Sequence, residues 1–533
     1  MAREVGRRKR AAPVQVSARR KALTRLTVCW VSCSTWAFLA VVPAAQAAQW
    51  RGTLNLDASE TFTDNVSLVP AGLAKSDFIT QISPGFSLRG VGPRLDVSVD
   101  YALRSFTYAQ NTDLNHTDHV LSANLKSELA KNWLFLDANA AIAQQNISLL
   151  GPIGVNNNAS NANRSEVRTY LISPYIRDRF ASFADYEVRY QYDTVSSDSN
   201  SLSNSSANKF SATMTSGPAF YRYTWDLKLY KETDYYQQSA DQNQENVTGN
   251  LRYFLTPRFA LTGGTGYEKF DYLTVGNKPE GAFWNAGILW RPSPLTSLTL
   301  SGGHRFYGPS YALDFSHRSR RLLWRWSYSE AVNTARSNFV NPPQGVSTFG
   351  FLSSLVGAGI SDPTLRAQII NQIIAQRGLP STLPSAVNFF SNRAFLEKRA
   401  DGSLTYNSAK TTSVLSIFRD IRDAKAIGSL STSLFGTDDF SNSLNIRQQG
   451  MSALFNWAFL PRTNADINFG YVDTLFRDSG EEDRLKFIRL GLRHQMSRKV
   501  TGAIDYRYTQ RDSNVPGVVF QENAVDASIN VRF

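Results

Sequence analysis

Four short stretches carry residue types that could do chemistry. His116-Thr117-Asp118-His119 offers imidazoles and a carboxylate within four residues, a loose version of a metal-ligand set. Gly263-Gly264-Thr265-Gly266 is glycine-rich, but a phosphate-cradling loop must lead into a helix, and here strand-like sequence continues on both sides. Ser301 and His304 in SGGHRFYG could act as nucleophile and base, yet no third partner can be assigned to orient the imidazole. Asp478, Glu481, Glu482 and Asp483 could hold a divalent cation, although a wet hairpin tip explains the same run. None of these stretches specifies a reaction, so the expectation is a non-enzymatic chain with no catalytic, cofactor or metal site.

The elements that would position such residues are read from alternation. Reading back from the C-terminus, Phe533 is followed by apolar Val531, Ile529, Ala527 and Val525, with Arg532, Asn530, Ser528 and Asp526 between them. Side chains of a strand alternate between two faces, so this segment has one apolar and one polar side. The same period runs through Leu95–Leu103, Tyr186–Tyr192 and Tyr223–Leu229. These segments exceed the about five or six residues usual in soluble strands, and they suit the about 9–11 residues that carry a tilted strand across a bilayer. Tight turns such as GVGPR, AKN, TPR and SRK alternate with polar loops such as GPIGVNNNASNANR and SSDSNSLSNSSAN. That asymmetry belongs to outer-membrane barrels, with short turns in the periplasm and long loops outside. Aromatic residues near strand ends, among them Trp133, Trp284, Trp290, Trp324 and Trp326, fit interfacial girdles.

Residues 1–47 read as a signal peptide, with a basic start, the apolar run LTVCWVSCSTWAFLAVV and a small-residue site at Ala45-Gln46-Ala47. Nine of the 57 basic and one of the 44 acidic residues lie there, so 48 and 43 remain and the net charge falls from +13 to +5. The high basicity is thus largely a targeting feature and does not argue for a nucleic-acid partner. Cys29 and Cys33 leave with the leader, which removes disulfides and thiolate sites from the expectation.

The fold expected is all-β: a transmembrane antiparallel β-barrel of about twenty strands, within about 18–22, carrying a helical insert on the periplasmic side. Residues 48–330 form its first part, 331–400 the insert and 401–533 the remainder. Within the insert, Leu365, Ile369, Ile370, Ile373 and Ile374 make one apolar stripe after the helix-start signal Asp362-Pro363. Strand parity puts the insert in the periplasm, as a lumen plug or a docking hairpin. Arg321, Arg325, Asp96, Asp100 and Arg104 are expected to face the lumen, where mixed signs describe a salt-bridged wall or, more sharply, an anion-favouring pore.

TFTDNVSLV (61–69), SDFITQISPGFSLRG (76–90), LDVSVDYALRSFTY (95–108) and GSLTYNSAKTTSVLSIFRDIRD (402–423) resemble the outer-membrane protein family associated with PEP-CTERM/exosortase systems of exopolysaccharide-producing Gram-negative bacteria. The resemblance implies a bacterial outer-membrane location and company with exopolysaccharide export or surface-protein sorting components. It supplies no catalytic residue. As in barrels of that location generally, Phe533 with Val531 and Ile529 would be the signal read by the barrel-assembly machinery, and lipid and lipopolysaccharide would surround the wall. A general or solute-specific porin is the alternative reading, with an outer-membrane hydrolase third.

Overall fold

The computed structural model describes residues 48–155, 158, 163–199, 201–237, 240–271, 279–340, 386–424 and 438–533. The leader, both cysteines and the stripe Leu365, Ile369, Ile370, Ile373 and Ile374 lie outside the described residues.

Among the described residues, alternation is realised as 22 strands in one antiparallel sheet. The first eleven are β1 (Gln49–Thr63), β2 (Asp77–Gly92), β3 (Leu95–Tyr108), β4 (His116–Ala130), β5 (Leu134–Asn146), β6 (Arg164–Phe180), β7 (Ala184–Ser197), β8 (Ser205–Ser216), β9 (Tyr223–Tyr236), β10 (Gln242–Thr256) and β11 (Phe259–Asp271). The rest are β12 (Glu280–Ser293), β13 (Thr296–Arg305), β14 (Gly308–Arg318), β15 (Leu322–Thr334), β16 (Ala394–Asn407), β17 (Thr411–Ala424), β18 (Asn445–Leu460), β19 (Thr463–Phe476), β20 (Glu482–Gln495), β21 (Val500–Ser513) and β22 (Phe520–Arg532). One α-helix, α1 (Ala335–Val340), follows β15. Each strand pairs with its sequence neighbours, and β1 pairs with β22 from Asn55–Arg532 to Thr63–Ala524, which closes the barrel. Closure satisfies the backbone groups that an open edge would leave bare in hydrocarbon.

The apolar half of each strand points outward. Leu54, Ile82, Leu227, Leu251, Leu300, Ile417, Leu490 and Ile504 are all exposed on the wall, where lipid meets them. Exposed aromatics crowd both rims: Trp50, Trp133, Tyr223, Trp290 and Trp457 at one end, Phe62, Phe78, Tyr235 and Tyr267 at the other. No described helix is long and apolar enough to cross a membrane, so crossing falls to the strands.

β1 begins and β22 ends at the rim that carries the tight turns, which is the periplasmic rim of such barrels. Fifteen strands precede the insert, so β15 delivers the chain to the opposite rim, among the long loops. This corrects the periplasmic placement expected for the insert. The parity error has a local cause: β13 and β14 are joined through Phe306 and Tyr307 alone, an outer hairpin as tight as the inner ones. Loop length therefore fails to mark that reversal. Gly308 closes the hairpin at φ +115, a conformation that L side chains rarely adopt.

Candidate functional site: a lumen capped by its own loops

Below the cap the inner wall is polar. Asn124 accepts a hydrogen bond from Asn139 at 2.7 Å, and Asp226 accepts one from Asn250, also at 2.7 Å. On β3, Asp96 stands 3.7 Å from Arg89, and Asp100 accepts the Ser87 hydroxyl proton at 2.6 Å. Arg104 is registered opposite Asp118 of β4, on the face shared with Asp96 and Asp100. Arg325 is half-buried between Ser316 and Ser403 in register. Arg321 departs from this set. It sits exposed in the β14–β15 turn, because β15 starts only at Leu322.

In the outer half of the lumen, loops from two sides of the ring pack together. Strands β5 and β6 lie across the ring from β15–β18, and their loops meet in the middle. Leu149 of the β5–β6 loop packs with Phe389, Phe395, Phe440, Ile446 and Phe476 in one buried cluster. Beside it, Phe339 of α1 and Phe390 pack on Val167, Val195 and Leu202 from the opposite wall. The Phe390 amide donates to the Ile147 carbonyl at 3.0 Å, joining the insert root to the β5–β6 loop. On the far side of that loop, the Tyr108 hydroxyl donates to the Asn158 carbonyl at 2.8 Å, and the Asn158 side chain donates to Thr61 Oγ1 at 2.9 Å.

Charges from the wall pin this layer. Arg511 of β21 lies 2.6 Å from Asp483 of β20, and its guanidinium also donates to the carbonyls of Leu149, at 2.8 Å, and Gly151. Arg336 of α1 is almost fully buried; it is bound to Asp193 and stands 3.4 Å from Asp234, with Ser205 Oγ at 3.0 Å. Arg422 pairs with Glu397 at 3.2 Å and Asp420 at 3.0 Å, and donates to the Val387 carbonyl at 3.1 Å. Arg393 stands 3.3 Å from Asp438. A buried charge stripped of its partner is costly, so each pair holds its loop in one place.

In the β17–β18 loop, Asp439 accepts the Leu149 amide at 2.7 Å and the Ser148 hydroxyl at 2.5 Å. Burial pushes its carboxyl up to about 6, against the lowering effect of those two bonds. Burial also raises Asp438, with Arg393 acting the other way.

The four reactive-looking stretches are taken apart by the strands. His116 opens β4, stacked on Phe106 at 4.6 Å, while His119 faces the other side and contacts the Tyr101 hydroxyl at 2.9 Å. Ser301 and His304 are three residues apart on β13 and so point to opposite faces. Gly264 lies mid-strand between Asn250 and Asn285. Asp483 is bound to Arg511 and Glu482 to Arg484, whereas Asp478 accepts the Leu444 amide at 2.8 Å. Among the described residues, no group of three His, Cys, Asp or Glu could hold a metal ion.

Arg336, Asp193, Arg422, Arg511 and Asp439 had no signal in the sequence. Their charges are those of any polar inner face, and only the loops that fold onto them give them a role. Phe533 is exposed at the periplasmic rim and its amide donates to the Leu54 carbonyl at 2.9 Å. Ile529 points outward and Val531 is half-buried on the same strand.

Residues 442–533 match the family model described as "Putative beta-barrel porin 2". The chain is an outer-membrane β-barrel protein. Among solved structures, the barrel is similar to the siderophore receptor PiuA from Acinetobacter baumannii, at 9% identity over 91% of this chain and 82% of that one, with TM-score 0.47. It is also similar to the outer membrane protein OpdK from Pseudomonas aeruginosa, at 8% identity, 91% and 99% coverage and TM-score 0.33. OccAB1 from Acinetobacter baumannii gives 10% identity, 91% and 97% coverage and TM-score 0.33. The comparison with curated proteins found no match. The barrel's likeness to these structures is too distant to carry a function over.

Proposed function

We propose that the barrel is a non-enzymatic, porin-like channel of the outer membrane whose outer mouth is narrowed by its own loops. The observation behind this reading is the meeting of the β5–β6 loop, the insert root and the β17–β18 loop inside the lumen, where Arg511 and Arg336 tie the first two to the wall and Asp439 ties the third to the first. Such a barrel admits small solutes along a polar wall and excludes those that need the cap displaced. The test is ion conductance of the purified chain in planar bilayers beside a variant lacking Pro342–Arg393. The deletion removes Phe389, Phe390 and Arg393 from the cap, so larger unitary steps are expected. Steps of unchanged size would refute the gating role of the insert root.

The setting proposed is exopolysaccharide export or surface-protein sorting, which the four sequence stretches support by resemblance. Loss of the gene should then lower surface polysaccharide or release sorted surface proteins into the medium. A strain unaltered in both would remove that setting and leave the channel.

A further inference from the structure

The barrel wall has one weak seam. β15 and β16 are registered over thirteen residue pairs, from Leu322–Tyr406 to Thr334–Ala394. Against β14, β15 is registered over six, and the pairing stops at Leu313–Tyr328. Above that point, residues 308–312 of β14 keep their partners on β13, residues 329–334 of β15 keep theirs on β16, and the two facing edges part. β14 is eleven residues long, about the length that crosses the hydrocarbon at the usual tilt, so its first five residues, 308–312, lie in the outer half of the bilayer.

Side chains stand where backbone bonds are missing. Phe306, at the tip of the β13–β14 hairpin, and Val332 of β15 both pack against the buried pair Phe270 and Ala394, and the Phe306 ring lies 5.3 Å from that of Phe270. Behind this apolar latch is a cavity of about 540 Å³. Its β15 wall is Ala331–Thr334, the stretch released from β14, and its far wall carries Lys228, Gln242, Gln244 and Asn246. The charged lining is nearly balanced, with Lys209, Lys228 and Arg305 against Glu232 and Asp234. Amides and paired charges suit a zwitterionic or hydroxyl-rich head, whereas the seam, faced by lipid and latched by rings, suits an acyl chain.

We propose that the barrel admits an amphiphile sideways from the outer leaflet, through the β14–β15 seam, with its polar head in this cavity and its chain between the separated strands. The latch then acts as a hinged contact: with the hairpin tip held to β11 through Arg305 and Glu268, 3.3 Å apart, swinging Val332 away breaks apolar contacts, and no β14–β15 ladder has to be opened there. This route is separate from passage along the barrel axis and does not rest on the loop cap.

The experiment uses the full chain in vesicles containing phosphatidylethanolamine with a photoactivatable acyl chain. After irradiation, label is expected on residues 242–248 and 331–334 as well as on the outer wall. Ser310 and Ala331 share the inner face at the parted edges, so S310C/A331C bridged by a bifunctional maleimide with a reducible linker provides a lock. Bridging should abolish the lumen label while leaving outer-wall label and ion conductance intact, and reduction of the linker should restore it. Phe306→Ala, which removes the latch, should raise lumen label severalfold without a cross-link. Label confined to outward-facing residues, or lumen label indifferent to both the lock and Phe306→Ala, would overturn the portal while leaving the axial channel standing.

Discussion

Arg511 near the end of β21 reaches back to the carbonyl of Leu149, 2.8 Å away and 362 residues earlier in the chain. The same guanidinium is held by Asp483 on the neighbouring strand. A fixed cation on the wall thus becomes the anchor of a loop that starts across the lumen. Replacing Arg511 by Met leaves the Asp483 carboxylate without its partner and two carbonyls without a donor, at a local cost of about 3–5 kcal/mol. The barrel ladder is untouched, so heat-modifiable migration should persist. Faster protease cleavage within residues 147–163 and larger conductance steps are the expected readouts; a cleavage rate equal to that of the wild type would contradict the anchoring.

Arg336 sets the position of α1 in the same way. Arg336→Ala strands Asp234 in a buried site, while Asp193 keeps Lys209 at 3.4 Å, and should release the helix from β7 and β9. The double variant Asp234→Asn/Arg336→Met removes charge on both sides of the pair that has no second partner and should recover much of the lost stability, because paired removal avoids the unpaired charge. Thermal unfolding in detergent checks the order: wild type, then the double variant, then Arg336→Ala. A double variant less stable than the single would show that the pair matters for more than charge balance.

The cap carries a pH dependence at Asp439. Its carboxyl titrates near about 6 in the folded cap and near 3.8 when released. Between those values the closed cap binds a proton that the open one does not, so closure is favoured as pH falls through 6 and gains nothing more below about 4. The two-unit gap corresponds to about 3 kcal/mol at most. Bilayer recordings should therefore show the channel more closed at pH 5 than at pH 7.5, and Asp439→Asn should flatten that difference. Asp438 shifts in the same direction and would leave a smaller residual slope.

At the closing seam, Phe533 contributes one backbone bond to Leu54 and an exposed ring. Removing it should change stability little once the barrel has formed, while lowering the amount delivered to the outer membrane if the ring is part of an assembly signal. Membrane yield in cells, compared with refolding yield of the purified chain in detergent, separates the two. Equal losses in both would make the residue structural.

Much of the architecture was legible because alternation is local: one strand's period decides which half of its side chains meets lipid, and Leu54, Leu251 or Ile529 need no distant partner to do so. The closed β-barrel, the outward apolar face and the outer-membrane location follow from that. The 22 strands lie within the about 18–22 expected, but the side of the insert did not follow, since the two-residue tip at Phe306–Tyr307 looks like an inner turn and hides one reversal. The cap and the parted seam were beyond any local reading. Asp439 meets Leu149 across 290 residues, and Phe306 and Val332 meet on Phe270 and Ala394 where β15 has left β14 beyond Tyr328. Which charges are anchors and which are merely wall depends on where closure of the ring brings the loops together, and that is a property of the whole sheet.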